Sequence, residues 1–170
     1  TEILSVPLLD GFELQPTLNL DAVFVAKSRD KSIFQLLCDG VLNKNETFED
    51  RIEKVVKQTI DSAKQNDLEF PEEHIFFYKE YENKFLFKIY IQDFVKSVGD
   101  EKRVIRQINA YFVEPKYNKF YQLSLSTPPY KLPTKVLKIG KNIDLENDLI
   151  TKSLVEVMNK ILNNITYNFE

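Results

Sequence analysis

The chain contains few of the residues from which catalytic and metal sites are usually built. Its 170 residues include one cysteine, one histidine and no tryptophan. A zinc site of Cys and His ligands needs about four such side chains, so one copy of the chain lacks them. The four glycines, at positions 11, 40, 99 and 140, match no phosphate-binding loop. No apolar run approaches the roughly 20 residues that cross a bilayer. The sequence therefore predicts no metal, no cofactor and no stable membrane insertion.

The sequence does have the composition of a compact globular domain. Hydrophobic residues make up 43% and charged residues 29% of the chain, which excludes collagen-like and wholly disordered proteins. At about 100–200 residues per domain, this length fits one domain, and we assign residues 1–170 to it. The formal net charge is −3. Because nucleic-acid-binding domains are usually basic, we do not expect a nucleic-acid partner.

Runs of β-forming residues predict a series of antiparallel strands. A charged turn separates the first two runs, and Glu82-Asn83 separates the third from the fourth, so both pairs are typical of hairpins. The later runs follow one another closely enough to predict a meander. The segments that we predict as strands are 21–28, 32–38, 73–81, 84–94, 103–113 and 120–126.

Two segments have the apolar spacing of amphipathic helices. The first covers 47–66, where Thr47 is a plausible N-cap and Asp50, three residues later, suits a capping box. The second covers 144–164. Strands that are followed by a helix, a meander and a second helix predict the α+β class. We expect an antiparallel sheet of about six or seven strands with two main helices packed on it.

Aromatic residues concentrate between positions 70 and 130, where most of them are expected to be core residues or cross-strand partners. Strand 84–94, however, carries apolar residues on both faces, whereas a sheet covered on one side alternates more cleanly. The C-terminal helix, a partner protomer or an apolar ligand could cover the second face. For an interaction surface, the candidate binding residues of the apolar sheet face are Phe85, Phe87, Ile89, Ile91 and Tyr111.

The single cysteine and the single histidine offer little chemistry. Cys38 ends an apolar run, and we interpret it as a small buried residue rather than a reactive thiol. His74 lies at the entrance of a predicted strand, where a loop histidine is a better interpretation than a catalytic base. A hydrolase or transferase that uses His74 stays open as a disfavoured alternative. We predict no catalytic residue and no enzymatic activity.

Two segments carry a family resemblance. The segment 6–12, VPLLDGF, is similar to the opening of the Mog1p/PsbP-like fold, and 39–50, DGVLNKNETFED, resembles the loop before the main helix in its DcrB-like bacterial branch. A meander and a terminal helix follow, so the resemblance covers nearly the whole chain. It implies a six- or seven-stranded antiparallel sheet with helices packed against it.

The DcrB-like branch includes envelope lipoproteins and the Eag-type chaperones of type VI secretion, which hold hydrophobic effector segments on a curved sheet. The resemblance implies a non-enzymatic binding or chaperone module with a protein partner, and with a homodimer as a further expectation. The alternative is an extracytoplasmic or lipoprotein-type binding protein, or a toxin-immunity protein. A small GTPase partner, as for eukaryotic Mog1p, is an analogy of fold only.

Two interpretations of Thr1 lead to two locations for the protein. If Thr1 follows a removed initiator methionine, we expect a cytoplasmic protein. If it follows a removed signal peptide, we expect a protein of the cell envelope.

Overall fold

The computed structural model describes residues 2–69, 75–131 and 149–169. These residues form antiparallel sheet and two helices, which confirms the predicted α+β class. The strands are β1 (Glu2–Ser5), β2 (Phe12–Gln15), β3 (Ala22–Ser28), β4 (Ile33–Val41), β5 (Leu68–Glu69), β6 (Ile75–Glu82), β7 (Leu86–Val98), β8 (Glu101–Glu114), β9 (Lys119–Ser126), β10 (Tyr130–Lys131) and β11 (Thr166–Phe169), and the helices are α1 (Phe48–Gln65) and α2 (Leu149–Asn163).

Nine strands form the main sheet. Seven of them follow the order β2-β3-β4-β9-β8-β7-β5, while β6 also pairs with β7 and β10 with β8. β1 and β11 form a separate two-stranded sheet. The sequence predicted about six or seven strands. The larger number arises because β5 and β10 contain two residues each and β2 contains four, and periodicity over so few residues gives little signal.

The long hairpin β7–β8 and strand β9 form the middle of the sheet. β8 pairs with β7 from Glu101 to Tyr111 and with β9 from Gln107 to Glu114. The segment 97–102 has the polar composition and the Gly99-Asp100 pair typical of a loop, but it is mostly strand. Only the turn at 99–100 interrupts it, and Gly99 there has a φ of +61°, a conformation that glycine adopts without strain.

α1 lies within the predicted span of 47–66 and begins as its sequence indicates. The Thr47 hydroxyl accepts a hydrogen bond from the Asp50 backbone N–H at 3.1 Å. The Asp50 carboxylate accepts one from the Thr47 N–H at 3.0 Å, which completes a capping box. Glu49 and Asp50 also place negative charge at the positive end of the helix dipole. These local interactions fix where the helix starts.

Arg51 joins the first turn of α1 to the end of β4. Its guanidinium donates to the Glu46 carboxylate at 2.6 and 2.7 Å, and to the Val41 carbonyl oxygen at 3.0 Å. It also forms an ion pair with Asp39 at 3.3 Å. The hydrogen bond from Arg51, followed by one from the Asn43 N–H, lowers the pKa of the Glu46 carboxyl to about 2. The helix is therefore anchored to the sheet by charge as well as by packing.

α2 forms the larger part of the predicted helix 144–164, and residues 144–148 lie outside the described ranges. Helical spacing brings one side of α2 into the core. The buried apolar residues of this helix are Leu154, Val155, Met158, Ile161 and Leu162. All five pack into one cluster with the aromatic and aliphatic residues of the central strands.

The two helices cover opposite faces of the sheet, because neighbouring residues of a strand point in opposite directions. Phe112 of β8 packs in the cluster that contains Met158 of α2. Its neighbour Tyr111 packs in the cluster that contains Ile52 of α1. We call these the α2 face and the α1 face. The result is three layers, with the sheet between the helices.

Candidate functional site

Four of the five candidate binding residues lie in the main core. Phe85 is 5% exposed, Phe87 and Ile89 are 1% exposed, and Ile91 is fully buried. All four belong to the cluster in which α2 packs on the sheet. Of the three covers considered from the sequence, the C-terminal helix is therefore the one observed, and these residues do not form an open surface.

The fifth candidate, Tyr111, lies on the opposite side of the sheet. It is 1% exposed and packs with Phe120 and with Ile52 and Val55 of α1. Burial raises the pKa of its phenol. The structure therefore does not bring Tyr111 together with the other four. Strand 84–94 carries apolar residues on both parities because each face of the sheet has a packed cluster, although Leu86 on the α1 face is 42% exposed.

α2 is held at both of its ends, so it is an integral part of the fold. Near its start, Thr151 accepts a hydrogen bond from Arg106 at 2.6 Å. Arg106 also donates to the Asp93 carboxylate at 2.9 and 3.0 Å. Near its end, the Asn83 side chain donates to the Leu162 carbonyl oxygen at 3.2 Å. Releasing the helix would expose this buried ion pair together with the core beneath it.

An apolar groove lies where α2 meets the segment 7–12. Two adjoining cavities of about 370 Å³ each form it, and both are lined by Leu9, Phe12 and Val157. Leu8, which is 48% exposed, borders the groove on the solvent side. The other apolar residues of its walls are Pro7, Leu125, Pro128, Leu149, Ile150, Leu154 and Ile161. The groove is therefore an apolar surface that the described residues leave open beside the covered sheet.

The rim of the groove carries charges of both signs. Asp10 lies just before β2, Asp30 lies in the turn between β3 and β4, and Lys160 lies on α2. An apolar chain in the groove would lose contact with water, and each Å² of apolar surface buried contributes roughly 25 cal/mol. Basic residues that flank such a chain would face the two carboxylates. The groove therefore suits an apolar chain whose binding is driven by removal of its side chains from water.

Sequence reasoning did not find this groove. Its two walls come from the segment 7–12 and from α2, which lie at opposite ends of the chain. The available signal was the apolar run Pro7-Leu8-Leu9, which we noted only for its resemblance to a family opening. No local pattern indicates which distant element such a run will contact.

The structure describes one of the two residues that were considered as catalytic candidates, Cys38 and His74. Cys38 is half-buried in β4 and packs against the main core, as expected of a structural cysteine. His74 lies outside the described residues. Within the part of the chain that the structure describes, no group of three or more His, Cys, Asp or Glu side chains is arranged to hold a metal ion. Neither α1 nor α2 combines the length and apolarity that crossing a membrane requires.

Comparison with known proteins gives similarities of structure alone. No family model and no curated protein matches the chain. The crystal structure of LpqN, involved in cell envelope biogenesis of Mycobacterium tuberculosis, is similar with a TM-score of 0.49 and 12% sequence identity, over 99% of this chain and 85% of that one. This similarity names neither the Mog1p/PsbP-like fold nor its DcrB-like branch, so that assignment stays a prediction.

Proposed function

We propose that this domain is a non-enzymatic binding module that holds an apolar segment of a protein partner. The observation that carries the proposal is the apolar groove between the segment 7–12 and α2, with Leu9, Phe12 and Val157 along its length. Contiguous exposed apolar surface on a soluble domain commonly marks an interaction site. We therefore propose the groove as the binding surface, in place of the sheet face that was predicted from the sequence.

The finer form of the proposal is a chaperone for a type VI secretion effector, which keeps an apolar effector segment out of water. A homodimer that buries the groove between two copies would be another way to cover the same surface. The alternative is an extracytoplasmic or lipoprotein-type binding protein, or a toxin-immunity protein. Each of these uses the same groove, and they differ in the identity of the occupant and in the compartment.

A synthetic peptide can test the groove directly. We expect a fluorescent peptide of leucine and alanine, flanked by lysines, to bind and raise the fluorescence anisotropy. The double variant Leu8→Glu/Val157→Glu puts charge into the groove, and it should weaken binding by at least about tenfold, or about 1.4 kcal/mol. Val157 is half-buried and Leu8 is exposed, so the fold should tolerate both changes.

Leu20→Glu is the matched control, because Leu20 is 99% exposed and does not line the groove. It should bind the peptide as the unaltered protein does. Equal binding by all three proteins, or no binding by any, would contradict the proposal. Sedimentation at rising protein concentration tests the homodimer, which the double variant should dissociate.

A further inference from the structure

The α1 face carries an unusual group of polar residues where a sheet under a helix is normally apolar. On three adjacent strands, these side chains lie next to one another and are mostly buried. Asn109 and Ser124 are fully buried, Gln92 is 1% exposed and Gln122 is 8% exposed. With the half-buried Gln107, they form what we call the amide cluster. Buried polar groups are costly unless they are hydrogen-bonded, so the cluster requires an explanation.

Hydrogen bonds within the amide cluster satisfy most of its groups. Gln92 donates to the Gln107 side-chain oxygen at 2.6 Å, and Asn109 donates to the same oxygen at 3.3 Å. Gln122 and Ser124 donate to the Asn109 side-chain oxygen at 3.0 and 2.5 Å. Among the described residues, the Gln107 amino group and the side-chain oxygens of Gln92 and Gln122 have no hydrogen-bond partner. Of these groups, the donor of Gln107 and the acceptor of Gln122 belong to side chains at the edge of the cluster.

Both of these side chains line a cleft between α1 and the sheet. The cleft has a volume of about 380 Å³, which lies within the range of roughly 300–1,000 Å³ typical of small-molecule sites. Gln58, Thr59, Ser62 and Asn66 form its wall on α1, and Asn19, Asp21, Gln35 and Asp39 form the opposite wall. The cleft is on the other side of the sheet from the apolar groove.

The chemistry of the lining limits what can bind there. None of the described residues that line the cleft is basic, so a phosphate or carboxylate ligand would lack a cation. Amide groups both donate and accept, and the carboxylates of Asp21 and Asp39 accept. Phe94, Leu37 and Leu68 supply apolar surface in the same cleft. A suitable ligand is uncharged, carries groups that both donate and accept, and has an apolar face.

From this arrangement we propose that the cleft binds a neutral saccharide. Each sugar hydroxyl is a donor and an acceptor, which matches the free groups of Gln107 and Gln122. The C–H face of a sugar ring can lie against Leu37 and Leu68. The cleft accommodates a mono- or disaccharide. This site is separate from the apolar groove, so the two proposals can fail independently.

Nuclear magnetic resonance can test the saccharide site on the whole chain. The ¹⁵N spectrum shows the side-chain amides of Gln35, Gln107 and Gln122, which glutamine-to-leucine variants assign. We expect neutral mono- and disaccharides, with glucose, maltose and cellobiose as probes, to shift these signals with a Kd of about 1 mM or below. Glucose 6-phosphate should bind at least about tenfold more weakly than glucose, because no cation meets its phosphate.

Variants of two residues that line the cleft, one on the sheet and one on α1, should lose saccharide affinity. Gln107→Leu should weaken saccharide binding at least about tenfold. Gln58→Ala removes an exposed α1 residue that lines the cleft, and it should weaken binding about threefold without disturbing the amide cluster. Gln65→Ala is its matched control, since Gln65 lies seven residues further along α1 and does not line the cleft. Its affinity should be unchanged.

Three results would overturn the saccharide assignment. The first is the absence of any shift of the cleft amides by the neutral sugars at about 20 mM, far above a millimolar Kd. The second is tighter binding of glucose 6-phosphate than of glucose. The third is stronger binding of the capped dipeptide acetyl-Ala-Ala-amide than of the sugars, which would assign the cleft to a peptide. If Gln107→Leu fails to fold, Gln58→Ala and Gln65→Ala still decide the outcome.

Discussion

The two faces of the sheet are formed by neighbouring residues of the same strands, yet their interiors differ. On the α2 face, aromatic rings pack in a continuous apolar core, and the ring centroids of Phe87 and Phe112 are 5.1 Å apart. On the α1 face, a smaller apolar cluster around Tyr111 and Phe120 lies beside the amide cluster. Because its apolar core is larger, we expect the α2 face to provide most of the free energy of unfolding. The α1 face gives up part of its packing for a polar cleft.

The largest expected effect is on the α2 face. Phe87→Ala should lower the free energy of unfolding by about 3–5 kcal/mol, because it opens a cavity in the core. Urea or guanidinium unfolding measures this loss. Leu86→Ala, at a neighbouring position that is 42% exposed, should cost clearly less. If the two variants lost equal stability, the α2 face would not be the main core.

The next effect concerns the apolar part of the α1 face. Ile52 is 3% exposed, whereas Val56 on the same helix is half-buried. Ile52→Ala should therefore cost about 2–4 kcal/mol and Val56→Ala about 1 kcal/mol. Denaturant unfolding of both variants checks the difference. A cost below about 0.5 kcal/mol for Ile52→Ala would mean that α1 contributes almost no packing.

The amide cluster should respond less strongly. Asn109→Leu removes the oxygen to which Gln122 and Ser124 donate. The loss should be about 1–3 kcal/mol, because it leaves buried donors without partners. Ser62→Ala, on the exposed wall of the cleft, should change stability by less than about 0.5 kcal/mol. A gain in stability for Asn109→Leu would contradict this expectation, because it would show that the hydrogen bonds to the Asn109 oxygen do not stabilise the fold.

A smaller effect is expected at the start of α1. Thr47→Ala removes the side-chain half of the capping box and should cost about 1 kcal/mol. Thermal or denaturant unfolding measures this change. Thr47→Ser keeps the hydroxyl and should retain most of the stability. If the alanine variant matched the unaltered protein, packing and Arg51 alone would fix the start of the helix.

The pH dependence of stability tests how charge anchors α1. The pKa of Glu46 falls from 4.5 to about 2 in the folded protein, so folding favours its ionised form. Its contribution is complete above about pH 4.5 and disappears as the pH falls towards 2. Urea midpoints measured between pH 6 and about 2 should fall less steeply for Glu46→Gln than for the unaltered protein. Parallel curves would contradict this role of Glu46.

The sequence predicted the local elements well and the sites poorly. The capping box at Thr47 and the helical spacing after it placed α1 to within one residue at each end. The meander strands were found within a few residues. β11 was missed, because it has four residues and pairs only with the other end of the chain. The sequence predicted correctly that Phe85, Phe87, Ile89 and Ile91 share an apolar face of the sheet. The alternation of apolar and polar residues cannot show whether such a face is covered or open.

The sequence by itself determined the class of the fold, because periodicity, turn residues and caps are properties of neighbouring residues. Only the tertiary structure decided which apolar face α2 covers, and it left the groove beside Leu9 and Phe12 open. It also brought Gln92, Gln107 and Gln122 from three strands into one hydrogen-bonded cluster. Such sites depend on packing and hydrogen bonds between segments that are distant in sequence, and these contacts exist only in the folded chain. The single cysteine and the single histidine left few residues for a metal or catalytic site, and the packing of the folded chain formed the groove and the cleft for which we propose binding.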